Sequence, residues 1–242
     1  MAKRKTKKQQ KYLNIRYKNQ TVRLLMDKVL IFQFFAKLHG RFWGVAGISM
    51  MSIGFAVCFA IRPDLRDIST AFSDFGNDVR TAPYFAGSVF IGAYGMWRWR
   101  NYLARTWKRT RPVTGLISLT ILGLYIVALM PISWNSRIHM GGMILTGFSM
   151  LATVVFDELL SKSSRRGHFP WRTIRITSFL LIVAGGWLTF GSADLVGWYN
   201  VALLGEAMML LGYLLWVGVK TYQGEGNRSQ LSKSLHKIVL ID

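Results

Sequence analysis

Apolar residues in this chain gather into six long runs, at 42–61, 82–97, 113–133, 139–159, 176–192 and 198–219, separated by short polar or basic segments. Each run reaches or approaches the ~20 residues with which an α-helix crosses a bilayer. None alternates with a period of two, so a closed β-barrel is excluded and the pattern predicts helices. The runs at 82–97 and 176–192 are short, which leaves their ends open. Tight connections at 134–138 and 194–197 make runs three and four, and five and six, antiparallel neighbours. The expected fold is all-α: a polytopic membrane protein whose six-helix transmembrane bundle occupies 42–219.

Two segments flank that bundle. Residues 1–20 carry lysine and arginine without an acid and without a sustained apolar period, the pattern of a disordered basic tail. Over 21–41, Val22, Leu25, Met26, Val29 and Phe32 recur at helical spacing among Arg23, Asp27 and Lys28. This predicts an N-terminal amphipathic helix, lying on the membrane or packed under the bundle. A cleaved signal peptide is not expected, because the basic stretch is long and Lys37, His39 and Arg41 interrupt the apolar core. Residues 220–242 form a second polar tail.

Charge adds orientation. Hydrophobic residues make up 51% of the 242 positions and charged ones 17%, yet the formal net charge is +20. The segments 1–41, 97–112, 160–175 and 219–242 hold 27 of the 31 lysines and arginines, and the intervening segments hold only Arg62, Arg66, Arg80 and Arg137. That asymmetry predicts a cell-membrane protein with both termini in the cytoplasm, its basic tail and inner loops against anionic lipid. Nucleic acid is not expected as a partner, since the basic residues alternate with apolar runs instead of forming one face. Trp43, Trp97, Trp99, Trp171 and Trp216 near inner ends, with Trp134 and Trp198 near outer ends, read as interfacial anchors. The single cysteine, Cys58, sits in an apolar run and is read as a packing residue.

Polar chemistry gathers on the expected outer side. The longest outer loop, 62–81, contains Ala71-Phe72-Ser73-Asp74-Phe75-Gly76-Asn77; Arg137 and His139 open run four; Asn200 and Glu206 lie in run six. Glu206, eight residues in, is placed ~12 Å below the outer end of its helix. A carboxylate there costs about 2.5–3.5 kcal/mol unless it is paired or neutral. Arg137, His139 and Asn200 are its candidate partners, and Asp74, Arg137, His139, Asn200 and Glu206 form the candidate ligand-binding set. Ser73, Asp74 and His139 have the residue types of a nucleophile, an acid and a base, although no Gly-x-Ser-x-Gly elbow supports them. Asp74 is also a natural turn former. The four histidines, His39, His139, His168 and His236, spread over both sides, so no three-histidine zinc site is expected, and no phosphate loop, dinucleotide fingerprint or haem motif suggests a cofactor. Asp157 and Glu158 are read as a solvated inner helix end beside Arg165 and Arg166. Gly87, Gly92, Gly95, Gly141, Gly142, Gly147, Gly185 and Gly186 are read as sites of close helix approach.

Ser73-Asp74-x-Gly76 after the first run, Pro131 closing a run with His139 shortly after, and Gly205-Glu206 with Trp216 in the last run resemble the Frag/DRAM/Sfk-like six-span membrane proteins. The likeness extends over about 42–219 and is greatest to their bacterial relatives, grouped as a domain of unknown function. The resemblance implies six spans with both ends inside and no assigned activity; eukaryotic relatives are associated with lipid-anchor remodelling and lipid-linked processes. Where the bacterial pattern has Glu-Arg in the last span, this chain has Glu206-Ala207. Three function classes therefore stand at this point: a membrane protein that binds lipid or is structural, an intramembrane lipid hydrolase or transferase, and a small-solute or proton-linked transporter.

Overall fold

The computed structural model describes residues 38–65, 67, 69–106, 111–160, 169–191 and 201–223. The chain divides into two compact units, Met1–His39 with His236–Asp242, and Gly40–Leu235. Nearly all of the first, with the expected basic tail and amphipathic helix, lies outside the described residues, as does Asn200.

The described residues of the second unit form six long helices: α1 Trp43–Ile61, α2 Ala82–Thr106, α3 Arg111–Leu129, α4 Ser136–Leu160, α5 Phe169–Gly191 and α6 Ala202–Gln223. No strand occurs among the described residues. Among the described residues, five segments are long and apolar enough to cross a membrane: Gly40–Ile61, Arg111–Leu129, Ser136–Leu159, Trp171–Gly191 and Ala202–Tyr222. This is consistent with a multi-pass membrane protein. The sixth helix, α2, is 25 residues long and falls outside that set. It does not stop at Trp97, because Trp99 and Leu103 continue its buried stripe through the basic sequence that follows.

Chain neighbours pair as hairpins, α1 with α2, α3 with α4 and α5 with α6; α2 packs on α3, and α6 returns to α1. α5 leans on α6 and touches α4 only lightly. The α4/α5 and α1/α6 seams are thus the two lightly packed seams of the bundle. Glycine permits the closest approaches. A Cβ on Gly95 would lie 2.6 Å from the Gly47 Cα and 2.7 Å from the Trp43 carbonyl oxygen, whereas one on Gly87 would meet nothing within 4 Å. Backbone atoms cannot rotate away as a side chain can. Gly95→Val is therefore expected to destabilise the α1–α2 hairpin by about 1–3 kcal/mol and Gly87→Val to be nearly neutral; thermal unfolding of the two variants in detergent checks this.

Two sequence expectations change at the end of the bundle opposite Phe72. Trp99 and Trp216 are not interfacial anchors: they are 0% and 1% exposed and meet edge to face at 5.5 Å, joining α2 to α6. Nor is Asp157 solvated. Its carboxylate is buried, receives Lys220 Nζ at 2.5 Å and accepts the Trp216 indole N–H at 3.2 Å. Only Glu158 is open to solvent, and its ion-pair partner is Arg175, at 3.2 Å. The α4 and α6 helices place these groups together because Asp157 falls on the inward face of α4, and Trp216 and Lys220, four residues apart, share one face of α6.

Candidate functional site

The loop between α1 and α2 is folded back onto the bundle. Phe72–Gly76 forms one 3-10 turn. Phe72 stacks on Phe55 of α1 at 4.5 Å, and Phe75, 1% exposed, meets Phe59 edge to face at 4.8 Å. The Asp74 carboxylate accepts the Ala71 N–H at 2.7 Å, as a turn-forming aspartate does. The Thr81 hydroxyl donates to the Phe75 carbonyl at 2.7 Å, and the Ser133 N–H donates to the Asn77 side chain at 3.2 Å. Aromatic burial and local hydrogen bonds thus hold this short polar sequence in one position.

At the loop's ends, the Arg62 guanidinium binds both Asp64 and Asp78. Its hydrogen bonds hold the Asp64 carboxyl down at about 2. For a carboxyl whose pKa is lowered by folding, the linked stability is complete above the ordinary aspartate range and is lost as pH falls through the depressed value. A carbon-13 titration of Asp64 is expected to show a midpoint near 2 in the wild type and a return towards ~4 in Arg62→Gln; an ordinary midpoint in the wild type would mean that the clamp does not form.

Glu206 lies beneath the turn. The α6 helix begins at Ala202, four residues before it, so Glu206 is ~6 Å from the helix start, shallower than the ~12 Å expected when the helix was taken to begin at Trp198. It is buried, and its Oε2 accepts the Phe72 N–H at 2.5 Å. The group that meets this acid is a backbone amide on the loop. Neither Arg137 nor His139 forms an ion pair with it among the described residues. Sequence reasoning missed this partner because an amide N–H has no residue-type signature.

His139 enters from α4, one turn inside a helix that begins at Ser136, and is 1% exposed. Its Nδ1 lies 2.6 Å from the Met130 carbonyl oxygen. A carbonyl only accepts, so Nδ1 carries a proton and the ring turns its Nε2 elsewhere. That Nε2 is buried and has no hydrogen-bond partner among the described residues, and the same holds for the Thr189 hydroxyl on α5.

These groups share a cavity of about 430 Å³ at the Phe72 end of the α4/α5 seam. Ser73, Asp74, Arg137, His139, Thr189 and Glu206 line it. Four of the five expected ligand-binding residues are thereby brought together, the fifth being Asn200. An apolar pocket of about 90 Å³ lies behind it, among Phe55, Phe72, Val89, Met209 and Leu210, and Ser73, Met143 and Glu206 border both spaces. Thr189 was not singled out in the sequence, where a threonine in an apolar run gives no distinguishing pattern.

As catalytic machinery the arrangement is incomplete. The Ser73 hydroxyl makes no hydrogen bond to His139, and Asp74 turns to the Ala71 amide instead of the imidazole. As a binding site it has the volume of a ligand pocket, with polar atoms convergent at one end and carbon at the other. No family model matches the chain, and neither does any curated protein or solved structure compared with it.

Proposed function

We propose that this protein is a six-span membrane protein that binds a lipid or lipid-like amphiphile, with the headgroup between the Phe72–Gly76 turn, His139 and Glu206 and the start of an acyl chain in the apolar pocket behind. The observation that carries this reading is the junction itself: a polar cavity and an apolar pocket share Ser73, Met143 and Glu206. Only an amphiphile satisfies both at once. The apolar part is smaller than the cavity of about 150 Å³ that accepts benzene, so it takes the first carbons of a chain and not the whole of it. The lightly packed α4/α5 seam, along which the cavity lies, offers a lateral route for the remainder. Asp74 and Glu206 line the cavity as acceptors and Arg137 as a donor, which favours a headgroup that both donates and accepts hydrogen bonds.

The basic asymmetry of the loops supports six crossings, with α2 as the sixth, and is the argument for the Phe72 end lying outside a cytoplasmic membrane. The resemblance to the Frag/DRAM/Sfk-like proteins points the same way. Lipid hydrolysis is a weaker reading because Ser73 and His139 are not paired. A transporter is weaker too: between Glu206 and the Asp157–Lys220 pair the lining is carried by Met209, Leu210 and Met150. Buried hydroxyls farther along, Thr120, Ser149 and Thr153, bond to one another or to carbonyls of their own helices. Native mass spectrometry of wild type and Glu206→Ala tests the binding function: a retained lipid that Glu206→Ala loses is the expected result.

A further inference from the structure

The α4/α5 seam opens a second time at the opposite end of the bundle. A groove of about 390 Å³ lies between the last turns of α4 and the first turns of α5, with Trp216 of α6 among its lining residues. Its lining changes character along the helices. Near the end of the bundle stand Arg172, Arg175 and Glu158; deeper along the same faces come Val155, Ile176 and Phe179. Arg172, Arg175, Ile176 and Phe179 recur at three- and four-residue spacing, so α5 presents one stripe that is cationic at its start and apolar beyond. Arg175 is 8% exposed and pairs with Glu158, which fixes its guanidinium at the groove wall. Arg172 is exposed and has no acidic partner among the described residues.

We infer that this groove is a binding site for an anionic phospholipid, its phosphate at Arg172 and Arg175 and an acyl chain along Ile176 and Phe179. Three features select that occupant. Two arginines against one acid leave the lining net positive, and a basic pocket between transmembrane helices is how membrane proteins hold anionic headgroups. The start of a 23-residue helix adds its dipole to the same spot. The apolar continuation distinguishes a lipid from a soluble phosphate, which has no use for Phe179. Guanidinium groups suit the site better than ammonium would, since they bind phosphate oxygens in pairs. This site is separate from the cavity under Phe72 and does not depend on it.

The test is native mass spectrometry of the full chain, released from detergent with an equimolar mixture of phosphatidylglycerol and phosphatidylcholine of matched chains. The wild type is expected to retain phosphatidylglycerol preferentially, by about fivefold for each arginine engaged. Arg172→Gln lowers that preference by about fivefold without disturbing the buried Arg175, and Glu158→Gln, which deletes the one acid in the lining, increases it. Arg105→Gln, an exposed arginine at the same end of the bundle, leaves it unchanged. The inference is overturned if the wild type shows no preference, if Arg105→Gln lowers it as much as Arg172→Gln, or if glycerol 3-phosphate displaces the lipid at equal concentration.

Discussion

Lys220→Met is expected to destabilise the folded bundle by about 3–5 kcal/mol, the largest single effect of any substitution considered for this fold. Lys220 and Asp157 are 4% and 6% exposed at their side chains and 2.5 Å apart, on α6 and α4. Removing the ammonium leaves a carboxylate enclosed by helices, with the Trp216 indole N–H as its one remaining donor among the described residues. The attraction between the two charges is offset by the desolvation of both, so the intact pair adds little net stability, while a broken pair leaves one charge uncompensated. The double variant Asp157→Leu with Lys220→Met should therefore recover most of the loss. Denaturant unfolding in micelles of the two single variants and the double closes the cycle. Equal stability of Lys220→Met and wild type would show that the pair is not formed.

Glu206→Ala is expected to weaken lipid retention by about tenfold, the upper end of what one hydrogen bond contributes. Two losses coincide in that variant. The headgroup loses a lining group, and the Phe72 N–H loses the acceptor that seats the 3-10 turn over the cavity. Glu206→Gln separates them: its amide oxygen still accepts the Phe72 N–H, so the turn stays in place while the carboxyl group is gone. Hydrogen exchange at Phe72 is accordingly expected to accelerate in Glu206→Ala and to stay slow in Glu206→Gln. Lipid retention in Glu206→Gln then reports the carboxylate's own contribution to the headgroup.

Much of this was legible in the chain because hydrophobic runs are one-dimensional signals. Six runs correspond to six helices among the described residues, and the expected antiparallel pairs α3–α4 and α5–α6 do pack together. The polar residues Ser73, Asp74, Arg137, His139 and Glu206 could be gathered at one end by counting crossings alone. Helix ends were harder. The α2 helix runs on to Thr106 since Trp99 and Leu103 have a protein surface to bury against, and hydropathy does not report such a surface. The same blindness placed Trp99 and Trp216 at the interface and Asp157 in solvent. A tryptophan or an acid near a helix end has the same composition whether it faces water or another helix; only the partner across the bundle decides.

Close approaches followed the same logic. Gly92, Gly95, Gly142 and Gly185 do meet a facing helix, while Gly87 and Gly141 face open space. Gly47 and Gly205, overlooked in the sequence, complete two of those contacts. Small residues mark an approach only when both helices carry them at the same level, which requires the register between helices. The Phe72 amide beneath which Glu206 sits was illegible for a different reason. Every residue but proline carries that donor, so only the folded loop distinguishes this one.

The central claim is that an amphiphile lies in the cavity under the Phe72–Gly76 turn, and photo-crosslinking with a diazirine-bearing lipid tests it most directly. With the diazirine on the first carbons of the chain, crosslinks mapped by mass spectrometry are predicted to concentrate on Met143, Met209 and Leu210 in the wild type and to vanish from those residues in Glu206→Ala. Crosslinks spread evenly over the exposed apolar faces, such as Phe148, Leu180 and Leu211, or an unchanged pattern in Glu206→Ala, would contradict it.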